Sequence, residues 1–275
     1  MRRCLTCGAL AVVAACLAGT AAGGAPEPDA PIPTDPAVLA RTLAETKADL
    51  ARAIDAWRVG GAPRMPDEVT LDALYEQRIE LALARRPRLA EATLRRLPGR
   101  IASQVGTNLA AKRELWRLTP VSRRRRFRTG PALPPQTLLR YYRSAQARFG
   151  VAWNVLAAVN FVESAFNKLR NDSASGAQGP MQFVPATWRA YGLGGDVHDP
   201  HDAILGAANY LHENGAPQNN RRALFRYNPS PLYVDAVLRY ARRIRSDRRA
   251  FYEYYAWQVF VRTRSGLRRI TGPGL

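Results

Sequence analysis

The sequence has few of the residues that usually bind metals or form disulfides. It contains three cysteines, all within the first sixteen residues (Cys4, Cys7 and Cys16), and only three histidines in 275 residues. Beyond the N-terminus, no stretch is long and apolar enough to cross a membrane. Without its first residues the chain has no disulfide and no cysteine-based zinc or thiol chemistry. The histidines (His198, His201 and His212) lack a metal-ligand spacing, so we predict no metal and no cofactor.

Lysine is scarce as well, and the excess of positive charge comes from arginine. Only Lys47, Lys112 and Lys168 are lysines among 41 basic residues, against 22 acidic ones, which gives a formal charge of +19. Such a chain binds polyanions: nucleic acid, anionic lipid or an acidic wall polymer. Charge alone does not choose among them.

The N-terminus has the pattern of an export signal. Two arginines are followed by a short apolar stretch and then by small residues, all before residue 26. We therefore predict a signal peptide over 1–23 and a protein exported to the cell envelope. Residues 13–16 fit a bacterial lipobox in which Cys16 carries a lipid anchor, and cleavage near 22–25 is the alternative. Export argues against nucleic acid and favours anionic wall polymers or the membrane surface as partners.

The remainder divides by composition and periodicity. Apolar residues recur at helical spacing, strand-like alternation is confined to 257–263, and turn residues follow at Ser265-Gly266. The predicted fold is mainly α-helical, with a small β-hairpin at the C-terminus. The predicted segments are a Pro-rich linker (24–36), a helical support region (37–118), a basic linker (119–135), a second helical domain (136–250) and an aromatic, basic tail (251–275).

Glu163 is the sharpest candidate for chemistry. It lies near the end of an apolar helix and is the only acidic residue between Glu114 and Asp172. Burial raises the pKa of a carboxyl group, and the negative end of a helix dipole acts in the same direction. A carboxylic acid that stays protonated near neutral pH can donate its proton to a glycosidic oxygen. The alternative is a structural role, as a cap or as the partner of an arginine.

The residues around Glu163 form four motifs in a fixed order. Glu163-Ser164 comes first, then Ser173-x-x-Gly176-Ala177-x-Gly179-Pro180-Met181-Gln182, then Ala207-Ala208-Asn209-Tyr210-Leu211, and last Tyr227-Asn228. This order and spacing resembles the lysozyme-like lytic transglycosylases that cleave bacterial peptidoglycan. The Gly-Pro-Met-Gln variant is similar to the membrane-bound type B enzymes. The sequence departs from the family at Arg226, where alanine is usual, and at Pro229-Ser230, where a Gly-rich turn is usual.

The resemblance implies a lysozyme-like catalytic fold over 136–250 and a role for each motif. It makes Glu163 the sole acid/base, which protonates the oxygen between N-acetylmuramic acid and N-acetylglucosamine and then deprotonates the muramyl 6-hydroxyl. The product is a 1,6-anhydro ring, and no water is consumed. The implied substrate-binding residues are Ser164, Ser173, Met181, Gln182, Tyr210, Tyr227 and Asn228, with Gln182 and Tyr227 positioning the N-acetyl group and the acid, and Met181 packing as floor.

Three questions stay open at this point. A true muramidase needs a second carboxylate, for which Asp172, Asp196, Asp199 and Asp202 are candidates, although helix-start and loop roles account for them. Residues 196–202 are either a helix start or the remnant of a calcium loop. Four aromatic residues either stack on sugars or form core: Trp188, Tyr191, Tyr210 and Tyr233. A non-catalytic wall-binding protein on the same fold is the rival from another functional class.

Overall fold

The fold is mainly α-helical, as the sequence predicts. The computed structural model describes residues 24–123 and 126–275, and the predicted signal peptide and Cys16 lie outside the described residues. Helices make up 61% of the described residues. The helices are α1 (Pro36–Gly60), α2 (Asp67–Arg85), α3 (Pro87–Leu94), α4 (Gly99–Leu118), α5 (Pro135–Phe149), α6 (Trp153–Ser164), α7 (Pro185–Tyr191), α8 (Pro200–Glu213), α9 (Asn220–Tyr227), α10 (Pro231–Ser246) and α11 (Arg249–Ala256).

The strands β1 (Phe260–Thr263) and β2 (Gly266–Arg269) form the predicted C-terminal hairpin. They pair antiparallel, with Phe260 opposite Arg269 and Thr263 opposite Gly266. Within the described ranges, no helix is long and apolar enough to cross a membrane.

Several helix boundaries coincide with residues that commonly begin or end helices. Gly61 and Gly150 end α1 and α5 in the left-handed conformation, with φ of 66° and 71°, which glycine adopts without steric cost. Asp199 begins α8, where its carboxylate accepts hydrogen bonds from the amides of His201 and Asp202. Residues 179–182, around Pro180, form a turn.

Residues 37–118 pack against the helices that follow them in the sequence. One hydrophobic core contains Leu50 and Ile54 of α1, Ala111 of α4, and residues of every helix from α5 to α11 except α7. Helix α4 packs along α10, and α10 packs on α6, which carries Glu163. A second, smaller core joins the first four helices. The N-terminal helices therefore support the helix that positions Glu163.

The two predicted linkers lie on the folded body. Three carbonyls of the proline-rich segment 24–36 face donors on α2 and accept hydrogen bonds from them. The hydroxyl of Tyr75 donates to the carbonyl of Pro31 at 2.9 Å, and Arg78 donates to the carbonyls of Pro28 and Ala30 at 3.0 and 2.8 Å. In the basic segment 119–135, the amide of Ser122 donates to the carbonyl of Arg262 at 2.8 Å. Neither segment is a free spacer.

The aromatic tail enters the core. Helix α11 was not predicted from the sequence, and it places Phe251 and Tyr254 in fully buried positions. Trp257 follows it and its ring lies tilted against that of Tyr254, with ring centroids 4.8 Å apart. Phe161 of α6 contacts both Tyr254 and Trp257, so the tail packs beneath the helix of Glu163.

Candidate active site

Glu163 lies in the last turn of α6 and keeps part of its side chain exposed. Burial raises its pKa to about 7, and a hydrogen bond from the hydroxyl of Tyr233 opposes that rise. The distance between the Tyr233 hydroxyl and the carboxylate is 2.6 Å. Among the described residues, no lysine or arginine lies within ion-pair distance of Glu163. The group is therefore an acid that still holds its proton near neutral pH.

Tyr233 and Tyr227 surround the carboxyl group. Burial is the main reason that the pKa of both phenols lies well above the ordinary value, and the charge of Glu163 raises it further. Both hydroxyls therefore keep their protons and act as donors: Tyr233 donates to Glu163, and Tyr227 donates to the carbonyl of Met181 at 2.6 Å. Tyr233, which the sequence left undecided between sugar stacking and core, is the direct partner of the acid.

A left-handed turn follows the acid. Ala165, Phe166 and Asn167 all have positive φ, at 50°, 62° and 68°, although none is a glycine. Such conformations cost of order 1 kcal/mol each and persist only where surrounding contacts hold them. Ser164 provides those contacts, because its hydroxyl donates to the carbonyl of Pro180 at 2.7 Å and accepts from the amide of Asn167 at 2.8 Å.

The loop over 171–183 is hydrogen-bonded to the C-terminal end of α6 through the carbonyl of Pro180. The amide of Asn160, four residues before Ser164 on α6, donates to the carbonyl of Pro180 at 2.9 Å. Gly179 has a φ of 73°, and a Cβ there would lie 1.9 Å from the carbonyl oxygen of Val197, so only glycine fits. The loop is thus locked to the C-terminal end of α6, next to Glu163.

The predicted binding residues separate into two groups. Ser164 and Met181 are buried, with 2% and 0% exposure, and their side chains pack beneath the loop and the turn. Their role in substrate binding stays a prediction. The partly exposed ones are Ser173, Gln182, Tyr210, Tyr227 and Asn228.

The partly exposed residues belong to three elements, which are the loop over 171–183, α8, and α9 with its C-terminal end. Gln182 has a φ of 53°, and its side-chain amide donates to the carbonyl of Gly179 at 2.9 Å. Ser173 accepts from the amide of Ala177 at 2.9 Å, which closes the loop. Tyr210 donates to the carbonyl of Arg226 at 2.7 Å, and its ring lies edge-on to that of Tyr227 at 5.4 Å. Asn228 ends α9 beside Tyr227.

The other acidic candidates have structural partners. Asp172 pairs with Arg128 at 3.0 Å. Asp199 caps α8, Asp202 accepts from the amide of Asp196 at 3.0 Å, and Asp196 accepts from the amide of His198 at 2.8 Å. These bonds explain the aspartate spacing as the start of a helix. Asp199, His201 and Asp202 have ligand atoms within 4.8 Å of one another, but two of the three already serve backbone amides.

The sequence analysis did not identify Asn160 as a site residue, and it left the role of Tyr233 undecided. Asn160 accepts from the hydroxyl of Tyr142 at 2.6 Å and so ties α5 and α6 to the loop. Its signal in the sequence is the i, i+4 spacing to Ser164, which puts both polar groups on one face of an apolar helix. Tyr233 carried no such signal, because its proximity to Glu163 arises from the packing of α10 on α6.

The comparison with protein families decides the class of this site. The family model described as the transglycosylase SLT domain matches residues 140–247. This part of the chain is therefore similar to transglycosylase SLT domains. No curated protein and no solved structure matched the chain significantly. The SLT domain contains Glu163, Tyr227 and Tyr233, covers less than half of the chain, and indicates a glycosyl-cleaving transglycosylase that acts on peptidoglycan glycan strands.

Proposed function

We propose that the chain is an exported lytic transglycosylase that cleaves the bond between N-acetylmuramic acid and N-acetylglucosamine, with Glu163 as its only acid/base. The observation that carries the proposal is a partly exposed carboxyl group inside an SLT domain. Burial raises its pKa to about 7, and it receives a hydrogen bond from Tyr233. An acid with this pKa is half protonated near pH 7, which suits a group that must first donate and then accept a proton.

The proton has a defined path in this reaction. Protonated Glu163 gives its proton to the bridging oxygen, and the bond between this oxygen and the anomeric carbon of the muramyl unit breaks. The carboxylate that remains takes the proton of the muramyl 6-hydroxyl, whose oxygen closes on the same anomeric carbon. The hydrogen bond from Tyr233 stabilises the carboxylate between the two steps.

The products distinguish this proposal from its rivals. Purified peptidoglycan is digested and the fragments are weighed. We expect 1,6-anhydromuramyl ends, because the 6-hydroxyl replaces water as the nucleophile. Reducing ends that carry one added water would make the chain a muramidase. Intact glycan strands with bound protein would make it a wall-binding protein.

The hydrogen bond from Tyr233 predicts a shift in pH dependence. Tyr233→Phe removes a donor that favours the charged carboxylate, so the pKa of Glu163 rises above about 7. Activity needs the protonated acid and falls as pH rises through that pKa. The alkaline limb of kcat/KM is therefore expected to move about one pH unit higher in the variant.

Tyr227→Phe is the matched control. Its hydroxyl donates to the carbonyl of Met181 and not to Glu163, so the alkaline limb is expected to stay in place while kcat changes. A limb that moves equally in both variants, or in neither, would contradict the assignment of Tyr233.

A further inference from the structure

A groove lined by arginines lies between the C-terminal ends of α2 and α4 and the hairpin β1–β2. It has a volume of about 730 Å³, and its residues belong to helices outside the SLT match and to the C-terminal hairpin. Five arginines line it: Arg85, Arg113, Arg117, Arg262 and Arg264. Trp116 and Leu267 supply apolar surface between them. None of the lining residues is acidic.

Two of these guanidinium groups are held in place. Arg113 donates to the carbonyls of Ala84 and Leu83 at the end of α2, at 3.1 and 3.4 Å. Arg262 donates to the carbonyls of Trp116 and Thr119 at the end of α4, both at 2.7 Å. Each uses one edge of its planar group on a helix end, which leaves further N–H donors for a ligand.

The helix ends do not account for the charge. A helix C-terminus carries about half a negative charge, so two of them offset about one of the five positive charges. The other three arginines, Arg85, Arg117 and Arg264, are exposed. No ion pair joins any of the five to an acid in the described part of the chain, and the undescribed residues contain no Asp or Glu. The groove therefore has about four uncompensated positive charges.

The shape and chemistry of the groove select its ligand. Guanidinium groups bind phosphate oxygens in a planar, two-point geometry. One phosphodiester contacts one or two such groups, so five of them fit several phosphates in a row. The apolar surface of Trp116 and Leu267 suits short carbon units between those phosphates. A flat membrane surface is a poorer fit, because Arg113 and Arg262 are half-buried inside a concave site.

We propose that this groove is a second binding site, which holds a linear phosphodiester polymer of polyol units in the cell envelope. The site is independent of Glu163. It would keep the enzyme on walls that carry such polymers while the SLT domain contacts the glycan.

The test measures binding of a synthetic glycerol-phosphate oligomer by calorimetry across salt concentrations. The triple variant Arg85→Gln, Arg117→Gln, Arg264→Gln removes three exposed charges and leaves the hydrogen bonds of Arg113 and Arg262 to the helix ends in place. We expect its affinity to fall at least about ten-fold, and the slope of log affinity against log salt to shrink by about two. The control variant Arg41→Gln, Arg64→Gln, Arg143→Gln removes three exposed arginines elsewhere and is expected to change affinity less than about two-fold.

Three results would overturn the proposal. These are equal losses in both triple variants, binding of inorganic phosphate as tight as that of the oligomer, or binding of phosphatidylglycerol vesicles without binding of the oligomer. Both variants should digest phosphate-free peptidoglycan at the wild-type rate, so a failure of this site is separate from a failure of the proposed catalysis.

Discussion

Glu163→Gln is expected to lower the rate of glycan cleavage by at least about 10²-fold, because the amide neither donates the proton that the leaving oxygen needs nor accepts the proton of the 6-hydroxyl. The side chain keeps its volume, and its amide can still accept from Tyr233 across the 2.6 Å contact. KM is expected to change little, since the loss lies in the chemical step. The measurement is the release of soluble fragments from purified peptidoglycan.

Asp172→Asn is the control for a second carboxylate. Asp172 is the next acidic residue along the chain after Glu163, and its carboxylate pairs with Arg128. The single-acid proposal expects this variant to retain activity within a few-fold of wild type. A loss as large as that of Glu163→Gln would mean that two carboxylates act, as in an inverting hydrolase.

The stability of Glu163→Gln separates catalysis from folding. The folded-state pKa of Glu163 is about 7, above the ordinary value of 4.5, so its contribution to stability is lost as pH rises between those values. At pH 8 the wild type holds a charged, largely enclosed carboxylate, and the neutral variant is expected to be about 1–3 kcal/mol more stable. At pH 4 the two proteins should unfold at the same temperature. A variant that is less stable at pH 8 would give Glu163 a structural role.

Glu80→Gln is expected to lower the free energy of unfolding by about 3 kcal/mol or more. Glu80 is fully buried, and its carboxylate accepts from Lys112 at 2.8 Å and from Asn108 at 2.9 Å. The substitution keeps the shape but leaves the ammonium group of Lys112 buried without its main counter-charge, and an uncompensated buried charge costs several kcal/mol. Urea or thermal denaturation at pH 7 measures the loss.

Glu80 belongs to a buried network of charges that joins five helices. Its carboxylates are Glu76, Glu80 and Glu253, and its cations are Lys47, Lys112 and Arg243. Burial lowers the pKa of Lys112. The neighbouring carboxylates, Glu80 above all, offset part of this lowering. Without Glu80 the pKa of Lys112 falls further, so the loss of stability should shrink as pH rises from 7 towards the ordinary pKa of lysine.

Glu91→Gln is the matched control for Glu80→Gln. Glu91 forms an ion pair with Arg95, but both side chains are exposed on α3. Water solvates either partner alone, so the expected loss is less than about 1 kcal/mol. Equal losses in the two variants would mean that the buried network adds nothing beyond a surface ion pair.

Much of the secondary structure was predictable because its signals are local. Gly61, Gly150 and Asp199 fix helix ends through their own backbone conformation or side chain, whatever the rest of the chain does. The aromatic segment 251–257 was not predictable, because its residues suit a cover over the cleft and a packed tail equally well. Burial beneath α6 depends on where α11 packs, and that position is set by distant helices.

The sequence by itself determined that Glu163 is a lone acid on an apolar helix, followed by a glycine-bearing loop and an ordered set of motifs. Those features depend only on residues that are close together in the sequence, so the order of residues is enough to identify them. Only the tertiary structure decided that Tyr233, seventy residues later, hydrogen-bonds to that acid, that Ser164 faces inward, and that five arginines from three parts of the chain share one groove. Residues that are far apart in the sequence come together because their helices pack on a common core, and their spacing along the chain does not predict this.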